Sequence, residues 1–299
     1  MKMPLVSVIM PTLNSGKYVR EAIHSLIAQD YQRFELIVID GGSTDNTVEV
    51  LNKYSGDGDL TVIQLAAGLG IAKALNVGLA TAQGEFIARM DADDYSFPSR
   101  LGAQVLFLVQ NSSIDLVGTG VENFGEAKSS VQRPQRQVDI RNSYLVNNPF
   151  YHPTVMLHRR LVDTGLFRYD ETQVCEEDYE LWGRLVPRIA CANMADILLR
   201  YRLHSGNGHW DPRKHRAKLK AIQRFCLDYG IDDSELVDTL VHFQCSGLID
   251  YSGYVHLRDY AHYALKAATP KLGWIQDAIV RERSYADFST WLLKAGGWK

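Results

Sequence analysis

The stretch GEFIARMDADDYSFPSR, residues 84–100, leads from apolar Phe86-Ile87-Ala88 through Arg89 and Met90 into three carboxylates, Asp91, Asp93 and Asp94. Carboxylates this close repel one another, and they resist burial unless positive charge sits among them. Residues two apart on an extended chain project to the same side. Asp91 and Asp93 are therefore predicted to share a face, with Asp94 turning away or capping the next segment. A pair of that kind suits a hard divalent cation, Mn²⁺ or Mg²⁺, which takes oxygen ligands and completes its shell with phosphate. The competing reading is a solvated turn before Pro98. Arg89 either meets phosphate or satisfies the acids beside it.

A second cluster, VIDGGSTDNT (38–47), ends an apolar run at Asp40. Gly41 and Gly42 permit a tight turn. Ser43, Thr44 and Asp45 read as caps for the next helix, whereas Asp40 reads as an acceptor for a base or ribose. In EEDYELWGRL (176–185), Asp178, Leu181, Trp182 and Leu185 share one helical stripe. Glu177, Glu180 and Arg184 share another, with Glu180 and Arg184 spaced for an ion pair. Asp178 is thus expected to face inward, where partial burial would raise its pKa and make it a better base. His152 in HPTV and His204 in YRLHSG are open between structural and ligand roles. Lys73 is a further candidate for phosphate.

These clusters need a frame. Short β-branched runs at 5–10, 34–40, 60–65 and 85–90 alternate with helical spacing at 16–29, 44–54 and 71–82, and Pro98 opens a further helix. Nearly continuous apolar strands between amphipathic helices predict an α/β fold, a mostly parallel sheet with helices on both faces. Ligands of such sheets lie beyond the carboxyl ends of the strands. PTLNSG (11–16), DGGSTDNT (40–47) and DADD (91–94) all fall there, which favours the cation site over the solvated turn. Residues 115–160 look irregular. A helix is expected at 176–186, then short strands to Arg202. A boundary near 208–212 separates residues 1–210 from a helical C-terminal region, 211–299.

The chain has 299 residues, 46% of them hydrophobic, and a net charge of −3, which gives no sign of nucleic-acid binding. Cys175, Cys191, Cys226 and Cys245 make no metal spacing and read as free thiols. No apolar stretch approaches the ~20 residues that span a bilayer. The expectation is a cytoplasmic protein, with peripheral attachment at the inner face of the cell membrane left open. Trp274, Tyr285, Trp291 and Trp298 are either membrane contacts or helical core.

VSVIMPTLNSGKYVREAIHSLIAQDYQRFELIVIDGGSTDNT, followed by GIAKALNVGLATAQGEFIARMDADD, resembles the family 2 glycosyltransferases of the GT-A fold. HPTVMLHRR, EEDYELWGRL and YRLHSG come next in the family's order, so the likeness covers residues 4–205. The resemblance implies a doubly wound GT-A sheet and a nucleotide-sugar donor, most simply a UDP-sugar. It implies an inverting, metal-dependent transfer to a saccharide, carried on polyprenyl diphosphate in surface polysaccharide assembly. DADD would be the DxD signature, with Asp91 toward the nucleoside and Asp93 on Mn²⁺ or Mg²⁺, joined by His204. Pro11, Thr12, Asn14 and Asp40 would line the nucleoside pocket, Lys73 and Arg202 would meet phosphate, and Asp178 would be the base. His152, Glu177 and Trp182 would face the acceptor. Gly41 departs from the family, where many members carry a second Asp.

Three rivals fit less well. A sugar-nucleotide pyrophosphorylase needs a Gly-rich basic loop after its first strand, and PTLNSGKY has one Gly. GLGIAK (68–73) lacks the third Gly of a dinucleotide fingerprint. A silent binding module on the same scaffold would not need both the acidic pair and the base.

Overall fold

A computed structural model of the chain describes residues 3–54, 60–144, 148–173, 175–204 and 212–228. Four strands come first: β1 (Val6–Thr12), β2 (Phe34–Asp40), β3 (Leu60–Gln64) and β4 (Phe86–Arg89). They interleave with α1 (Val19–Ile27), α2 (Thr47–Asn52) and α3 (Ile71–Thr81). All four are parallel and lie side by side as β3-β2-β1-β4. The order reverses at β1, and the crevice of such a sheet opens at that switch point.

Strand parity sorts the core. Val6, Val8, Met10, Leu36 and Val38 point to one face, where they meet Val19, Ala22, Ile23 and Leu26 of α1. Those four recur at i, i+3, i+4 and i+7, the stripe that buries one side of a helix. Ile9, Ile37, Ile39 and Ile87 point to the other face, against Ala72, Leu75 and Leu79 of α3. Burying each such side chain stabilises the fold by about 1.5–3 kcal/mol.

Beyond β4 come a short β5 (Tyr95–Ser96) and α4 (Arg100–Gln110), then β6 (Leu116–Gly125), β7 (Ser129–Val131), α5 (Gln137–Tyr144), β8 (Met156–His158) and α6 (Arg160–Asp163). Helix α7 (Glu177–Leu185), strand β9 (Cys191–Leu203) and helix α8 (Pro212–Asp228) complete the described elements. The sheet continues past β4 as β8-β6-β9-β5, with β8 antiparallel to β4 and β9 parallel to β6. The predicted α/β fold, mostly parallel with helices on both faces, is present.

The region expected to be irregular is not. Residues 116–125 form a long strand paired along β9, and β9 is one strand of 13 residues rather than several short ones. The pairing slips twice, between Gly118 and Gly120 and again before Val121. At Gly118 a Cβ would come within 2.2 Å of Asn193 Oδ1, so only glycine lets the two strands meet there.

Helix α8 is the described part of the C-terminal region. It buries Ala221, Ile222 and Phe225 in the same core as α7, and Lys218 reaches Glu176 at 3.5 Å. The boundary near 208–212 otherwise lies outside the described residues, as do Trp274, Tyr285, Trp291, Trp298, Cys245 and the side chain of Cys226. Cys175 and Cys191 form no disulfide among the described residues, and burial pushes the Cys191 thiol up to about 12. No described helix is long and apolar enough to cross a membrane.

Candidate active site

The crevice begins at Pro11. Met90 donates its N–H to the carbonyl of Ile9, so that side of β1 faces β4. Pro11, two residues on, shares the side, but β4 pairs with β1 only as far as Ile9↔Arg89. The missing proline N–H therefore costs no ladder bond, and β1 runs on to Thr12 alone on that edge. Thr12 is buried, and its Oγ1 has no hydrogen-bond partner among the described residues. It stands level with Asp40 across the β1–β2 pair.

Asp40 does more turn-building than its sequence suggested. Its Oδ2 accepts the backbone N–H groups of Gly42 (3.2 Å) and Ser43 (3.1 Å), and its Oδ1 accepts the Ser43 hydroxyl. The capping expected of Ser43 and Thr44 falls to Asp45, whose carboxylate takes the Thr47 N–H at 2.9 Å and the Gly16 N–H at 3.1 Å. Ser43 and Thr44 are tied instead to Asn14. Its N–H donates to Ser43 Oγ and its Oδ1 accepts from the Thr44 N–H, both at 2.8 Å. Asn14 holds this position with φ of 50°, in the left-handed region that asparagine tolerates. The loops after β1 and β2 thus form one stitched floor. At Gly41 a Cβ would meet Thr12 O at 3.6 Å, an ordinary contact, so the departure there changes chemistry and not space.

At the end of β4, ligand oxygens of Asp91, Asp93 and Asp94 all lie within 4.8 Å of one another. Asp94 does not turn away from the other two as expected. It is buried, accepts the Arg202 N–H at 2.9 Å on Oδ1, and has no partner for Oδ2 among the described residues. Burial and the carboxylates of Asp91 and Asp93 push its pKa well above the usual range. Beneath it lies Arg100, fully buried, which donates to the Arg89 carbonyl at 2.6 Å. Burial pulls the Arg100 guanidinium down to about 9, against the pull of Asp94.

Arg89 does not reach outward to phosphate. Its guanidinium grips Asp91 with both terminal nitrogens at 2.6 Å. His204 Nε2 lies 2.9 Å from Asp93 Oδ2, and its ring stacks on Tyr18. Arg202, expected at phosphate, donates through Nε to the Asp93 carbonyl at 2.7 Å, pairs with Glu21, and rests on Tyr18 and Phe124. The end of β9 is thereby latched onto the acidic turn. A cluster of carboxylate oxygens with one imidazole beside it and an unpartnered buried oxygen fits Mg²⁺ or Mn²⁺. Asp93 and His204 are the residues that would hold it.

Across the crevice α7 begins after Glu176, which adopts φ of 58° and turns the chain into the helix. The Glu180–Arg184 pair forms at 2.7 Å as the spacing predicted. The assignment of faces is corrected, because this helix is buried nearly all round: Glu177 and Glu180 lie inside along with Leu181 and Trp182. Asp178 is half-buried. Its carboxylate accepts from Asn148 Nδ2 and from the Tyr179 N–H, each at 2.7 Å. The raised acid is Glu177, pushed up to about 7 by burial and by the charge of Asp178. The charge of Asp178 is among those that raise the Asp91 carboxyl.

The remaining expectations fall away from it. Trp182 has no exposed surface and packs on Phe150, His152 and Phe167, so it offers no face to an acceptor. His152 is buried, 2.6 Å from the Tyr169 hydroxyl, and burial with Arg89 nearby holds its pKa well below the usual value. It acts as a neutral core histidine. Glu177, also expected at the acceptor, is buried beside Asp178. Lys73 pairs with Glu171 at 3.2 Å on the surface of α3. Sequence reasoning passed over Tyr18, Arg100, Asn148 and Arg133. Asn148, set before Pro149, and the lone Tyr ahead of α1 carried a readable signal. Arg133 lies in a Gln/Arg-rich stretch, 132–137, that read only as part of an irregular region.

The chain thus has an α/β sheet whose strand order reverses at β1 and an acidic turn at the end of β4. The family model for Glycosyl transferase family 2 matches residues 7–166. The O-antigen biosynthesis glycosyltransferase WbnJ of Escherichia coli is 33% identical over 265 residues, which cover 82% of this chain and 97% of that protein. TarS of S. aureus, solved with UDP-GlcNAc, is similar in fold, with a TM-score of 0.65 at 21% identity over 88% of this chain and 81% of that one. The mannosyltransferase PcManGT of Pyrobaculum calidifontis, solved with GDP-Man and Mn²⁺, gives a TM-score of 0.59 at 20% identity, over 99% and 87%. This chain belongs to glycosyltransferase family 2 and has the GT-A fold.

Proposed function

We propose that the protein transfers a hexosyl or N-acetylhexosaminyl group from a nucleotide-diphosphate sugar to a saccharide hydroxyl, with inversion at the anomeric carbon. The observation that supports this reading is the cluster of Asp91, Asp93 and Asp94 carboxylates at the end of β4, with Asp178, from a distant part of the chain, among the charges that raise Asp91. Thr12, with an unpartnered hydroxyl, lies beside Asp40, Pro11 and Asn14 and lines the nucleoside end. Asp91 lies toward the nucleoside and Asp93 toward the diphosphate.

In the reaction the attacking oxygen bonds to the anomeric carbon as the bond from that carbon to the diphosphate breaks. The electron pair leaves on the nucleoside diphosphate, and the hydroxyl proton passes to Asp178. Attack from the side opposite the leaving group inverts the centre. Mn²⁺ or Mg²⁺, when bound at Asp93 and His204, supplies positive charge to the departing diphosphate. Arg202 and Arg89 fix the carboxylates rather than the substrate. The donor is a UDP-sugar, in keeping with the UDP-GlcNAc bound by TarS. The O-antigen name of the E. coli relative supports a saccharide acceptor on polyprenyl diphosphate, met at the inner face of the cell membrane.

The Asp178→Asn variant is expected to lose about 10²–10⁴-fold in turnover, read as nucleoside diphosphate released from UDP-sugars with Mn²⁺. Calorimetric binding of UDP and Mn²⁺ should stay within about twofold of wild type, whereas Asp93→Asn should weaken it. Near-normal turnover in Asp178→Asn with normal binding would falsify the base assignment. A protein that binds donor without Mn²⁺-dependent hydrolysis would be a silent module.

A further inference from the structure

Residues 132–136 cross from β7 to α5 as a strap over the second half of the sheet. It is fastened on both sides. Gln132 Nε2 donates to the Ala195 carbonyl at 2.8 Å, and the Gln135 carbonyl accepts the Asn193 N–H at 3.2 Å. Asn193 Nδ2 bridges the carbonyls of Pro134 (2.7 Å) and Pro149 (3.1 Å). The strap therefore has little freedom, and neither does Arg133 in its middle. The Arg133 guanidinium lies over the Tyr151 ring at 4.4 Å. Its Nε is buried and has no hydrogen-bond acceptor among the described residues. Asn193 thus ties the residue after Arg133 to the residue after Asn148, whose Nδ2 holds the Asp178 carboxylate at 2.7 Å; Tyr151 and Asp178 both favour the charged guanidinium against its burial.

A buried guanidinium N–H without an acceptor is a costly arrangement in a finished core. Elsewhere in the crevice the arginines are spoken for: Arg89 by Asp91 and Arg202 by the Asp93 carbonyl and Glu21. Arg89, Arg100 and Arg200 also bury one guanidinium nitrogen without an acceptor, but each has another polar partner; Arg133 has a stacking shelf, a rigid mount and no hydrogen-bond or ion-pair partner among the described residues.

We propose that Arg133 is a substrate-binding residue on the nucleophile side, the terminal N–H groups of its guanidinium donating to the oxygen that attacks the sugar while Asp178 takes that oxygen's proton. This rests on the transferase reading and adds to it the second contact that orients the nucleophile. Tyr151 is the shelf that holds the guanidinium plane in place.

The test uses the full chain, Mn²⁺, and UDP-GlcNAc and GDP-Man as donors with water as the nucleophile. In Arg133→Gln the hydrolysis kcat should fall about 10–100-fold, with donor KM and the calorimetric Kd for UDP with Mn²⁺ within about twofold of wild type. Arg133→Lys, which keeps the charge but lacks the planar fork, should recover only part of the rate. Tyr151→Leu should lower kcat in the same sense and Tyr151→Phe should not. An unchanged kcat in Arg133→Gln overturns the proposal. So does a parallel rise in UDP Kd, which would move Arg133 to the donor side. So does a loss of rate matched by a fall in Tm in all variants, which would make it structural. A wild-type protein that neither binds UDP or GDP nor hydrolyses either donor would sink the transferase reading itself.

Discussion

Glu177 has the most unusual proton affinity of any carboxyl on α7, and the consequence can be measured. Burial, the neighbouring Asp178 and the more distant Asp91 raise it from 4.5 to about 7, with Arg89 opposing them. An acid raised on folding takes up its proton in the folded state first, so folding binds a proton between those two pH values. Stability is present below about pH 4.5 and declines as pH rises toward 7, by roughly 3 kcal/mol for a shift of this size. A Glu177→Gln variant cannot develop that buried charge. Urea unfolding at pH 8 should show it more stable than wild type, with the two nearly equal at pH 4.5; parallel pH dependences would refute the assignment. At this scale the acidic turn and the Glu180–Arg184 pair were legible, because types and spacing alone specify them. The facing of Asp178 and Glu177 was not. A helix stripe shows where the core lies only when one side of the helix meets solvent, and α7 has α8 on its other side, with Lys218 reaching Glu176 and Arg224 near Glu180. Arg133 was hidden for a related reason. Its significance depends on an acceptor it lacks, and periodicity cannot report an absent contact.

Among the elements, β1, β2 and β4 could be read from their apolar runs, because a buried parallel strand must be continuously apolar, and the half-exposed edge strand β3 was read from its β-branched residues. Strands β6 and β9 could not. LVGTGVENFG breaks its apolar run with glycines and polar residues, and its pairing with β9 slips at those same glycines. A regular ladder leaves an alternating signature, and an irregular one erases it. Gly118 makes the point testable. Replacing it with Ala drives a methyl group into Asn193 Oδ1, 2.2 Å from the ideal Cβ, and toward Phe150 at 3.0 Å. The expected cost is about 1–3 kcal/mol in denaturant unfolding. Gly102→Ala in α4 is the control. There the nearest atom is Tyr31 Cβ at 3.8 Å, and removing a helix glycine should stabilise by about 0.5–1 kcal/mol. If both substitutions cost the same, close approach at Gly118 is not what requires glycine.

The whole molecule joins two halves at one seam. The parallel half ends in β4, and the second half returns to it twice: β8 pairs with β4, and the end of β9 is latched onto the acidic turn through Arg202 and His204. Ligands of the crevice therefore touch both halves and should stabilise the fold as one unit. At UDP near 100 times Kd with Mn²⁺ saturating, the stabilisation is about 2.7 kcal/mol, a rise in Tm of about 5 °C or more. A thermal-shift panel of UDP, GDP and dTDP with Mn²⁺, Mg²⁺ or chelator reads this directly. UDP with Mn²⁺ should give the largest rise and chelator should remove most of it; a flat response to every nucleotide would leave the acidic turn without its assigned partner.

On the nucleoside role proposed for the two N-terminal loops, their stitching limits how donor preference can be re-engineered. Asn14 clasps Ser43 and Thr44, Ser15 leans on Thr47, and Gly16 is held by Asp45. Residues about thirty positions apart in the chain thus behave as one exchangeable part. A chimera that imports the first loop from another transferase but keeps the native second loop inherits mismatched halves of a zipper, so nucleotide specificity can be transplanted only when both segments travel together.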